Sequence, residues 1–135
     1  MIPAEYIESS KAFEKAVDAI ENAKYNLKGG FYGATANRAY YACYYCLIGL
    51  LYTQKVYAKT HQGTKAKFSE LFIKTDIFPI EVSDSISMLF DYRQEADYDL
   101  DEDISQEEAK KLIDAATEIY HLTNDYFQKN IADLN

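Results

Sequence analysis

Arg38 and His61 have the residue types most able to act on a phosphate. Arginine carries a permanent planar charge that fits phosphate oxygens, and histidine titrates near neutrality and so moves protons. Tyr41 and Tyr45 follow Arg38 at three and seven residues, so on a helix all three share one face. Such a face would grip a phosphate with the guanidinium and orient it with phenol hydroxyls. Tyr45 is a poor base there, because a tyrosine ordinarily keeps its proton up to about pH 10. Arg38 has a plainer reading as well, an ion pair with Glu95 or Asp97 of another helix, since a buried arginine needs a partner.

His61 sits between Thr60, a good helix N-cap, and Gly63. It would either meet a phosphate at the free N–H groups of a helix start or hydrogen-bond across the turn. Arg93 and Asp97 are four apart and should pair along their helix, although Asp97 could also turn to orient Arg38. His121 borders an apolar stripe and reads as a surface histidine. Cys43 and Cys46 form a C-x-x-C, but they lie in an apolar helical run with no second ligand pair, so they read as core fillers. The acidic run Asp97, Asp99, Asp101, Glu102 and Asp103 lacks the glycine and closing glutamate of a calcium loop. No metal and no cofactor are expected.

The whole chain argues against bulk nucleic-acid binding. It has 135 residues and a formal charge of −8, with a pI near 4.7. Non-specific binders neutralise phosphates with a basic stripe, so any RNA contact here must be local or assisted by a partner. A chain of this length, 48% hydrophobic, buries enough surface to fold without disulfides. No charged-then-apolar leader opens it, and the apolar run from Ala39 to Tyr52 is too short for a membrane span. A soluble, cytoplasmic protein is expected, with no membrane partner.

The elements that must position these residues are all helical, because no stretch alternates with a period of two. A first helix is predicted from about Pro3 to Lys28, on a stripe of Phe13, Ala16, Val17, Ile20, Ala23 and Leu27, ended by Gly29-Gly30. The second, about Tyr32 to Thr53, is apolar on nearly every side, so it should be central or partly covered by another subunit. Its many tyrosines need hydrogen-bond partners and so should border a polar groove or interface. The third, roughly His61 to Lys74, turns Ala66, Phe68, Leu71 and Phe72 inward. The fourth covers about Ile80 to Ala96 on Val82, Ile86, Leu89 and Phe90, and the link from Asp97 to Asp103 reads as a loop. Ser105 and Glu108 then form a capping box, with Ile104 as its hydrophobic staple, for a last helix running to about Ala132. The fold class is all-α, an up-and-down antiparallel bundle of about five helices in one domain over residues 1–135.

Three segments in order carry a family resemblance: Asn37-Arg38-Ala39-Tyr40-Tyr41-Ala42, Lys59-Thr60-His61-Gln62-Gly63, and Tyr92-Arg93-Gln94-Glu95-Ala96-Asp97-Tyr98. Together they resemble the small stand-alone HEPN (higher eukaryotes and prokaryotes nucleotide-binding) proteins, whose members read S/N-R-A-Y-Y-A, S-H-x-G and R-x-x-A-D-Y at these places. The resemblance implies a helical bundle that dimerises through its second helices. Many HEPN proteins are metal-independent ribonucleases, often the toxin of a toxin–antitoxin pair, while others bind nucleotides or assist a nucleotidyltransferase. Active members carry R-x(4–6)-H in the dimer cleft. Members related to this chain commonly have histidine seven residues after the arginine, where this chain has Tyr45.

The resemblance therefore implies a homodimer whose cleft binds a nucleotide or RNA phosphate through Arg38, Tyr41, Tyr45 and His61. Asn37, Thr60, Gly63, Arg93 and Asp97 would support them. Arg38 and Tyr45 would be the catalytic pair if the protein cleaves RNA. The alternatives are a non-enzymatic module that docks a partner, such as an antitoxin or a nucleotidyltransferase, and an active ribonuclease toxin.

Overall fold

A computed structural model describes residues 2–98 and 103–132; for 94–98 and 132 the description covers the backbone only. The architecture is an all-α, up-and-down antiparallel bundle of five helices, with no strand among the described residues. After a short 3-10 turn, Ala4–Tyr6, α1 spans Ile7–Lys28 and α2 spans Tyr32–Thr53. α3, His61–Phe68, runs on as a π-helical turn, Ser69–Ile73. α4 covers Ile80–Tyr98, and α5, Gln106–Phe127, also ends in a π-helical turn, Gln128–Ala132.

The helix ends follow from side-chain chemistry. Gly30 takes φ +80° after α1, a left-handed conformation that costs other residues more. The Thr60 hydroxyl accepts from the Gly63 N–H at 2.9 Å and caps α3. Ser105 and Glu108 form the expected capping box, and Ile104 packs against the core beside it.

α2 is the axis of the molecule and packs against α1, α3, α4 and α5. Ala39, Cys43, Cys46, Leu47 and Leu50 are fully enclosed. Phe13 of α1 stacks on Phe127 of α5 at 5.1 Å, while Phe68, Phe72 and Phe78 form a second aromatic cluster. Val82, Ile86, Leu89 and Phe90 hold α4 to this core, as their spacing predicts. Among the described residues no helix is long and apolar enough to cross a membrane.

Several expectations are corrected. Val17 is 38% exposed, because it lies at the edge of the α1 stripe where the α1–α5 groove opens. Ala66 is exposed, since the inward line of α3 runs through Thr64, Phe68 and Phe72. Asp97 belongs to α4, which runs two residues further than expected, and not to a loop. Most important for the site, α2 is not buried all round: Asn37, Arg38, Tyr41, Tyr44, Tyr45, Ile48 and Tyr52 make a half-buried stripe along one face.

Candidate phosphate-binding site

The charged end of this α2 stripe is where three helices bring their reactive residues together. Arg38 is held by its neighbour, donating from Nε and Nη2 to the Asn37 side-chain oxygen at 3.1 and 2.8 Å. Its guanidinium carbon lies 5.0 Å from the centre of the Tyr41 ring, a cation–π contact. Tyr41 in turn lies 6.2 Å from Tyr45, so the three residues share a face as their spacing requires. Arg38 has no carboxylate partner among the described residues. The Glu95 and Asp97 side chains proposed for it, and the Arg93–Asp97 pairing, lie outside the described residues.

α3 delivers His61 to the same place. The Thr60 cap fixes the first turn, and a Cβ on Gly63 would come 2.9 Å from the Thr60 hydroxyl, so glycine permits that close cap. His61 does more than hydrogen-bond across its own turn: it packs against Tyr44 at 4.5 Å and Tyr41 at 5.9 Å, and its Nδ1 is hydrogen-bonded to the Tyr40 hydroxyl. α4 adds Arg93, whose guanidinium stands 5.2 Å from the Tyr40 ring and 6.0 Å from the Tyr41 ring. Tyr41 thus has Arg38, Arg93 and His61 all within about 6 Å of its ring.

Burial raises the Tyr40 hydroxyl well above the usual tyrosine value, only partly offset by Arg93, so Tyr40 keeps its proton while sharing a hydrogen bond with His61 Nδ1. Burial first, and then the Arg93 charge, lower the His61 pKa below its ordinary 6.5. At neutral pH the imidazole is therefore largely uncharged. Two guanidiniums and an uncharged imidazole beside aromatic rings make an arrangement suited to an anionic, aromatic ligand such as a nucleotide.

Tyr40 and Tyr44 are missing from the residues expected at the site, because aromatics at helical spacing ordinarily read as core. Tyr40 is indeed core, but its hydroxyl reaches the site. The signal for Arg93 was present in the third sequence segment, though its convergence with His61 depends on helix packing. His121 is exposed beside Tyr120. Cys43 and Cys46 are buried, and burial pushes the Cys46 thiol up to about 12 and Cys43 well above its usual value, so neither is a nucleophile. The acidic run beyond Tyr98 lies outside the described residues save Asp103.

Comparison with known proteins agrees with this architecture. A family model described as the HEPN domain matches residues 9–126. The chain is 34% identical over 125 residues to a Methanocaldococcus jannaschii protein named "Putative toxin", covering 92% of this chain and 85% of that one. A UPF0332 protein of Thermotoga maritima is 30% identical over 84 residues, 62% of this chain and 64% of its own. Another UPF0332 protein, from Archaeoglobus fulgidus, is 28% identical over 99 residues, 73% of this chain and 78% of its own.

Proposed function

This chain belongs to the HEPN-domain family, and on that premise we propose that it is a toxin-like HEPN protein binding a nucleotide or RNA phosphate at the charged end of α2. The observation that carries this reading is the placing of Arg38, Arg93 and His61 around one half-buried ring, Tyr41, on a chain whose net charge is −8. Two guanidiniums beside an uncharged imidazole on one face of an acidic molecule mark a local anion site rather than a general nucleic-acid surface. Arg38 and Arg93 hold the phosphate, His61 lies beside it, and Tyr41 and Tyr45 supply the wall against which a base stacks. Two copies meet along the apolar end of the same α2 stripe, at Ile48 and Tyr52, which leaves the charged end open as a cleft. The name of the Methanocaldococcus jannaschii relative supports a role as the toxin-like half of a pair, with an antitoxin or a nucleotidyltransferase as partner.

Titration calorimetry with adenosine 5′-monophosphate and with a short RNA tests the site. Arg38→Ala and Arg93→Ala should each weaken binding by roughly tenfold or more, the scale of a lost charge-assisted contact. Unchanged affinity in both variants would remove the proposed phosphate site.

A ribonuclease is the second reading, favoured by the lowered pKa of His61, which keeps an uncharged imidazole available at neutral pH. In this reading His61, rather than Tyr45, takes the role of base. RNA cleavage in the presence of a chelator, abolished by His61→Ala, would establish the enzyme. Tight binding without cleavage supports recognition alone.

A further inference from the structure

The cationic groups do not end with Arg38 and Arg93. On α1, the Lys15 ammonium stands 5.8 Å from the centre of the Tyr45 ring. Side by side along the α2 stripe this gives a cation, two rings and a second cation. Arg38 to Tyr41 is 5.0 Å, Tyr41 to Tyr45 is 6.2 Å, and Tyr45 to Lys15 is 5.8 Å. Neither terminal cation has a carboxylate partner among the described residues, where the ion pairs are Lys24–Glu21 and Lys67–Glu70. Glu14 and Asp18, the acidic neighbours of Lys15, line the groove on the α5 side of α1 and so lie off the ladder.

A ligand with one phosphate can satisfy only one end of such a row. Successive bases of a single strand stack on successive aromatic rings while the backbone tracks flanking cations, an arrangement that tolerates any sequence. We infer that Arg38, Tyr41, Tyr45 and Lys15 form a subsite ladder for a single strand of at least three linked nucleotides, with one phosphate at the Arg38 end and one further along the strand at Lys15. This rests on the phosphate-site reading above and adds Lys15 and a minimum ligand length to it. An acidic peptide would satisfy the two cations but would leave the rings between them without stacking partners.

The test compares a trinucleotide with adenosine 5′-monophosphate on wild type and on Lys15→Ala, an exposed position whose loss should leave the fold intact. The trinucleotide should bind more tightly than the mononucleotide. Lys15→Ala should weaken only the trinucleotide, by several-fold, and make its log K against log salt slope shallower by about 0.7, one single-strand phosphate. A tetraglutamate peptide should not displace it. Equal affinity for the two nucleotides, a trinucleotide affinity indifferent to Lys15→Ala, or displacement by the peptide would each overturn the ladder while leaving the Arg38–Arg93 site standing. Failure of either nucleotide to bind wild type would overturn both.

Discussion

At the scale of single residues, the behaviour of His61 is set first by burial and then by Arg93, which opposes protonation from across the stripe. Arg93→Met should therefore raise the His61 pKa towards 6.5, read from its ring-proton chemical shift in an NMR titration; an unmoved midpoint would show that the two do not interact. Tyr40→Phe should cost about 1 kcal/mol of stability for the lost hydrogen bond to His61. The sign for stability follows. With the folded pKa below the unfolded one, the contribution of His61 is fully present above pH 6.5 and is lost as pH falls through the lowered folded value. His61→Gln should flatten that part of the stability profile in urea unfolding at stepped pH. Little of this was legible in the sequence. The spacing put Arg38, Tyr41 and Tyr45 on one face, but the approach of His61 and Arg93 is a product of how α3 and α4 pack on α2.

At the scale of elements, the helices were readable because local chemistry fixes their ends: Thr60 and Ser105 cap, Gly30 turns left-handed, and apolar stripes supply the rest. What the pattern could not tell was which side of α2 lacks a neighbour, since tyrosines occupy both its core and its open face. Two glycines of α2 separate propensity from packing. Nothing lies within 4 Å of a Cβ built on Gly33, so Gly33→Ala should stabilise by about 0.5–1 kcal/mol through helix propensity alone. A Cβ on Gly49 would meet the Phe13 ring at 2.8 Å, and that ring is held by Phe127 at 5.1 Å and Tyr120 at 6.4 Å. Gly49→Ala should thus destabilise by about 1–3 kcal/mol despite the same gain in propensity. Thermal unfolding of the pair checks both signs, and equal shifts would mean that α1 can move away from α2. The start of α5 is tied to α4 by the Tyr92 hydroxyl, which donates to Glu108 at 2.6 Å. That bond first, then the Ser105 backbone and side chain, lowers the Glu108 pKa, so its contribution is present above its ordinary 4.5 and is lost on further acidification. Ser105→Ala should cost about 1 kcal/mol through the lost cap.

At the scale of the whole molecule, the open stripe of α2 poses the question of what covers it. Its two ends differ in chemistry: Arg38, Asn37 and Tyr41 are polar or charged, whereas Ile48 and Tyr52 present apolar surface beside Tyr57. An element lying on a two-fold axis meets itself, so the same apolar end of α2 would serve both copies of a symmetric dimer. A pair joined there would set two charged ends along one groove, and the −8 charge of each chain would repel everywhere except at that groove. Sedimentation should then give a mass twice 15.5 kDa, and Ile48→Asp should halve it without loss of helical circular dichroism, because Ile48 is only half-buried within the chain. Raised salt should strengthen the pair by screening that repulsion, and it should weaken RNA binding by screening the phosphate contacts. A wild-type chain that sediments as a monomer at every salt concentration would leave each Arg38–Arg93 cluster on its own, with no cleft between copies.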